Sequence, residues 1–123
     1  MKKLVIAIDF DGTIVENEYP EIGGLKPDAK KVINRLHSKG HTIIIWTCRC
    51  NQHPEYDDLS DMKWFLFDNE IKFDCVNQND KNIVQFGCFP KIYANVFIDD
   101  RNISGIPSWI EIEKIINEMA EGK

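Results

Sequence analysis

Apolar residues run along this chain in two rhythms. Leu4–Ile8 is an unbroken apolar run, rich in β-branched residues, that stops at Asp9-Phe10-Asp11-Gly12-Thr13. That pattern predicts a strand running into a turn. Because the run has no polar alternation, the strand is expected at the centre of a parallel sheet, covered on both faces. Ala29, Val32, Ile33 and Leu36 recur at helical spacing, between Pro27 in the first turn and a stop at Gly40. His41–Thr47 predicts a second strand with Ile43, Ile44, Ile45 and Trp46 buried, and Cys48–Glu55 a polar loop. Asp57 or Asp58 is expected to cap a second helix that turns Leu59, Met62, Phe65 and Leu66 inward. Phe73–Val76 and Asn95–Ile98 predict two further strands. Between them Asn77–Pro90 reads as irregular, with one helical turn after Asp80. Ser108 and Glu111 form a capping box for a last helix, whose inner face is Trp109, Ile112, Ile115, Ile116 and Met119.

Strands alternate with helices, so the expected fold class is α/β. It is a small doubly wound, Rossmann-like parallel sheet of order about 3-2-1-4, with helices on both faces and right-handed crossovers. The 123 residues suit a single domain, 1–123, that buries roughly two-thirds of its unfolded surface. Polar residues cluster just after three strands: Asp9 and Asp11, Thr47 and Arg49, Asp99 and Asp100. The carboxyl ends of parallel strands form the ligand crevice of open α/β sheets. Three separate segments therefore deliver polar groups to one edge.

Composition narrows the function classes. Hydrophobic residues are 43% and charged residues 28%, which suits an ordinary globular protein and argues against disorder. The longest apolar runs, Leu4–Ile8 and Ile43–Trp46, are far short of a membrane span or a signal peptide, so the expectation is a cytoplasmic protein with no membrane partner. Fifteen basic against 20 acidic residues give a net charge of −5, which disfavours nucleic acid as a partner. Four cysteines, Cys48, Cys50, Cys75 and Cys88, read as reduced thiols. Cys48, Cys50 and His53 match no standard zinc spacing.

Four carboxylates at the ends of two apolar strands repel one another, and a hard divalent cation is the usual remedy. Oxygen ligands on an open edge suit Mg²⁺, which keeps several waters and shares phosphate oxygens. A carboxylate can also act as a nucleophile and form an acyl phosphate. That chemistry needs a metal, a hydroxyl and a cation on the phosphoryl oxygens, and an acid/base for the leaving group. Asp9, Mg²⁺, Thr47, a lysine and Asp11 would supply these parts. Gly12, Thr13 and Arg49 are the candidate phosphate or substrate contacts. The Gly12 amide is expected to face a phosphate, and Arg49 is either a bidentate anion ligand or a surface residue.

Asp9-Phe10-Asp11-Gly12-Thr13 after an apolar strand resembles motif I of the haloacid dehalogenase (HAD) superfamily of phosphatases. Ile43-Ile44-Ile45-Trp46-Thr47 resembles motif II, and Val96-Phe97-Ile98-Asp99-Asp100 resembles motif IV. The resemblance covers nearly the whole chain. It implies Asp9 as nucleophile, Asp11 as general acid/base and Thr47 as phosphate ligand. It also implies Mg²⁺ held by Asp9, the Asp11 backbone carbonyl and one of Asp99 and Asp100, with Asp100 favoured and Asp99 in support. For motif III, Lys91 has the short spacing to the acidic pair of deoxyribonucleotidase-like members, and Lys81 has the longer spacing. Lys91 is preferred. Arg49 and Asp100-Arg101 also look like the corresponding residues of polynucleotide kinase-phosphatase 3′-phosphatase domains.

Neither the stretch from Thr13 to Thr47 nor that from Thr47 to Lys91 has room for a cap domain. The resemblance is thus to a capless member with an open site and a Val15–Gly24 flap. The expected activity is Mg²⁺-dependent hydrolysis of a phosphorylated small molecule through a phosphoaspartyl enzyme. A nucleic-acid-end or nucleotide phosphatase is the enzymatic alternative, and a receiver-like module or a silent binding domain the non-enzymatic one. An uncovered site points further to self-association, with the flap near the contact.

Overall fold

The computed structural model describes residues 1–80 and 91–123. The expected turn after Asp80, Lys81 and Cys88 lie wholly or partly outside them. Among the described residues seven elements follow in chain order: β1 (Val5–Ile8), α1 (Ala29–Ser38), β2 (Thr42–Ile45), α2 (Asp58–Asp68), β3 (Cys75–Val76), β4 (Val96–Ile98) and α3 (Trp109–Ala120). The four strands form one parallel sheet in the order β3-β2-β1-β4. This is the expected α/β architecture. β1 is central, pairing Ile6 with Ile43 on one side and Val96 on the other, and all four of its residues are buried. Its unbroken apolar run is explained by cover on both faces.

One face carries the main core. Ile6, Ile8, Ile43, Ile45 and Ile98 meet the inner faces of all three helices: Val32, Ile33 and Leu36 of α1, Met62 and Leu66 of α2, and Trp109, Ile112 and Ile116 of α3. The opposite face presents Val5, Ala7 and Ile44. Among the described residues it packs against Ile92 and Ala94 of the chain entering β4, where a helix was expected. No helix is long and apolar enough to cross a membrane, among the described residues.

Local chemistry moved several expected details. Trp46 is half-buried at the margin of the smaller cluster, and Ile115 is exposed, because α3 turns Ala120 inward with Ile112 and Ile116. Leu59, Phe65 and Met119 are half-buried at the edge of the main core. Neither Asp57 nor Asp58 caps α2. Asn51, in the left-handed region at φ 61°, reaches across the loop instead, and its Oδ1 accepts the Leu59 and Ser60 amides at 2.8 and 3.0 Å. The Ser108 cap is as expected, its hydroxyl accepting the Glu111 amide at 3.2 Å.

Candidate active site

The parallel order places the ends of β1, β2 and β4 side by side, so the residues that follow them share one edge. A cleft of about 440 Å³ opens there, lined by Asp9, Asp11, Asn17, Tyr19, Thr47, Cys48, Arg49, Asp99 and Arg101. Carboxylate oxygens of Asp9, Asp99 and Asp100 lie within 4.8 Å of one another. Both members of the Asp99–Asp100 pair thus converge on Asp9.

Backbone geometry makes this crowding achievable. Gly12 has φ +90°, and a Cβ there would lie 2.5 Å from Asp100 Oδ2, so only glycine fits. Thr13 is fully buried. Its Oγ1 lies 3.1 Å from Asp9 Oδ2 and 3.0 Å from Asp100 Oδ1, and it accepts the Asp100 amide at 3.0 Å. The Thr13 carbonyl in turn accepts Trp109 Nε1–H at 3.0 Å, which ties the turn to α3. Two expectations change here. The Gly12 amide donates to the Val15 carbonyl (2.8 Å) rather than facing the cleft, and Thr13, expected as a phosphate or substrate contact, is fully buried with its hydroxyl between Asp9 and Asp100.

Burial raises the Asp9 pKa from 3.8 to about 7, with the charge of Asp99 and a hydrogen bond with Asp100 adding to the rise. An oxygen-only donor set with this much mutual repulsion fits a hard divalent cation, held by Asp9, Asp99 and Asp100. The Asp11 carboxylate stands apart from that trio.

Arg49 explains why. It is 1% exposed, neither a surface residue nor a free anion ligand. Its Nε donates to Asp11 Oδ2 at 2.7 Å and one terminal nitrogen to Asp11 Oδ1 at 2.8 Å. Its remaining contacts go to the Asp58 carbonyl (3.0 Å) and the Glu21 carbonyl (3.2 Å), with the Phe10 and Tyr19 rings beside it at 5.4 and 5.0 Å. Burial opposes its charge, but the hydrogen bond and charge of Asp11 hold its pKa above the ordinary value. The expected substrate role of Arg49 gives way to an internal one, that of fixing Asp11.

The flap is fastened by the same network. Val15 is buried and bridges Asp11 and Leu25. The Tyr19 hydroxyl donates to Asp58 Oδ2 at 2.6 Å, and Asp58 also accepts the Asn51 amide at 2.8 Å. Although burial works against it, the Asp58 carboxyl is held below its ordinary range by these bonds. Tyr19 and Asp58 carried no pattern beyond a loop tyrosine and a helix cap, so sequence reading missed them.

Thr47 keeps its expected place. Its amide donates to Asn77 Oδ1 (2.8 Å), and its Oγ1 accepts the Arg49 amide (3.1 Å), leaving the hydroxyl proton for the cleft. Of the two lysines, Lys91 does not line the cleft: its Nζ lies 5.4 Å from the centroid of the Phe97 ring. Lys81 lies outside the described residues. Among the described residues no metal-binding group includes Cys48, Cys50 or His53.

No protein-family model and no curated protein matches the chain. A solved structure does: that of a conserved protein coded by a locus from Bacteroides thetaiotaomicron. It is similar at a TM-score of 0.83 and 36% identity, over 96% of this chain and 93% of that one. At that identity across almost the whole of both chains, the present chain belongs to the same family as the conserved Bacteroides protein.

Proposed function

We propose that the chain is a divalent-cation-dependent phosphomonoesterase of HAD type, with Mg²⁺ as its cation. The observation that carries this reading is the convergence of Asp9, Asp99 and Asp100 within 4.8 Å in a cleft that also holds Asp11 and Thr47. A cation bound by the trio would neutralise Asp9 and the phosphoryl oxygens. The Asp9 carboxylate attacks phosphorus, and the ester P–O bond breaks. The leaving oxygen takes its proton from Asp11, which requires that the Asp11 carboxyl, protonated, first let go of Arg49, the partner of both its oxygens in the resting chain. Thr47 donates its hydroxyl proton to a phosphoryl oxygen. Water then attacks the acyl phosphate, passing a proton to Asp11, and the P–O bond to Asp9 breaks to release phosphate.

Two competing readings lose support. A receiver-like module needs an aspartate at the end of its third strand. Asp74 instead precedes β3, and its Oδ2 accepts the Ile43 amide (2.8 Å) near the start of β2. A nucleic-acid-end phosphatase drew on Arg49 and on Asp100-Arg101 as substrate ligands; Arg49 is taken up by Asp11, which leaves Arg101 as its remaining support against the net charge of −5. The test is a panel of sugar phosphates, nucleotides, aryl phosphates and 3′-phosphorylated oligonucleotides, assayed with Mg²⁺ and again with EDTA. Small esters should be hydrolysed and EDTA should abolish the activity. Turnover that survives EDTA, or none on any ester, would reject the proposal.

Asp9 gives a second check that needs no substrate. Its pKa is higher in the folded chain than in the unfolded one, so between pH 3.8 and about 7 the folded state binds the extra proton. Its contribution to stability is therefore full at low pH and is lost as pH rises through about 7. A cation that binds ionised Asp9 reverses that loss. The Mg²⁺-induced rise in Tm is thus expected to be larger at about pH 8 than at about pH 5. An equal rise at both, read by differential scanning fluorimetry, would separate Asp9 from the cation.

A further inference from the structure

The cleft contains two arginines with opposite circumstances. Arg49 is buried, and its guanidinium is engaged by Asp11 and by the Asp58 and Glu21 carbonyls. Arg101 is exposed. Its backbone amide donates to Asp99 Oδ1 at 2.8 Å, which fixes where the residue leaves the chain. Its side chain makes no hydrogen bond or ion pair with any described residue. An arginine that lines an acidic cleft yet pairs with none of its carboxylates is available to something that enters from outside.

The reacting phosphoryl group must lie against Asp9, within reach of Thr47. The cleft is several times larger than a phosphate group, and Asn17 and Tyr19 line it as well. The bulk of a small substrate would occupy that remaining space, and Arg101 meets the substrate there. A guanidinium pairs in bidentate fashion with a carboxylate or a phosphate. The acidic walls would otherwise repel such a group.

Resting on the phosphomonoesterase reading, we propose that Arg101 is a specificity-determining residue. It selects small phosphomonoesters that carry a second anionic group, a carboxylate or a further phosphate, on the part of the molecule that leaves.

The experiment compares phenyl phosphate with the three isomers of carboxyphenyl phosphate, in the unmodified protein and in Arg101→Ala and Arg101→Lys. The quantity read is the ratio of kcat/KM for the best carboxylated ester to that for the plain one. A charge-assisted bond predicts a ratio of about ten or more, falling to about one in Arg101→Ala and partly kept in Arg101→Lys. An Arg101→Ala variant that slows both esters while keeping the ratio would overturn the proposal, since Arg101 would then hold the reacting phosphoryl group. So would a ratio near one in the unmodified protein, or a marked preference for a 3′-phosphorylated oligonucleotide over every small ester.

The matching phosphonates, which cannot be hydrolysed, are titrated calorimetrically in parallel with Mg²⁺ present. A Kd ratio that collapses in Arg101→Ala while no ester is turned over supports the anion subsite and rejects the phosphatase reading. Turnover without any such binding ratio does the reverse.

Discussion

Asp9→Asn is expected to lower turnover of every phosphomonoester by at least about a thousandfold, because it removes the only attacking oxygen the mechanism has. The substitution is nearly isosteric. The amide oxygen can still accept from Thr13, whose Oγ1 lies 3.1 Å from Asp9 Oδ2. The fold should therefore survive. The change also takes one charge out of the crowded trio, so at neutral pH without cation the variant should melt no lower than the parent. That pairing separates lost chemistry from lost structure. Turnover close to the parental rate would transfer the nucleophile to another group. A large fall in Tm would instead make Asp9 a structural residue.

Arg49→Ala should destabilise the chain by about 3–5 kcal/mol, the usual consequence of breaking a buried ion pair from one side. Asp11 would lose both of its bonds to Arg49, 2.7 and 2.8 Å long, and the Asp58 and Glu21 carbonyls would each lose a donor. The space between the Phe10 and Tyr19 rings would open. Lysine should not rescue, because one ammonium cannot reproduce a fork aimed at two oxygens. Urea unfolding gives the number directly. A loss under about 1 kcal/mol would be the behaviour of a solvated surface pair and would return Arg49 to the role of a free ligand.

Much of the frame was legible in the chain. The apolar run before Asp9 could only be a strand covered on both faces, and β1 is fully buried between β2 and β4. Once the strands are parallel, the residues that follow them must share an edge. The grouping of Asp9, Thr47 and Asp99 on one cleft followed from periodicity alone.

Side-chain partners were another matter. Nothing in the spacing of Thr47 and Arg49 says that Arg49 turns inward to meet Asp11, 38 residues earlier, while the exposed Arg101 side chain pairs with none of the described residues. Nor does it say that Thr13 sits buried between the Asp9 and Asp100 carboxylates, or that Asn51 caps α2 across a loop. Sequence pattern reports which face of a helix or strand is apolar, because that repeats over a few residues. Pairing among polar groups depends on which segments the packed core brings within hydrogen-bond reach, and on which buried donor lacks any other acceptor. The strands, their order and the acidic edge were thus determined by the sequence read locally. The pairing of Arg49 with Asp11 was decided only by tertiary structure, since burying Arg49 required a carboxylate partner and the fold brings both Asp11 oxygens into reach of its guanidinium.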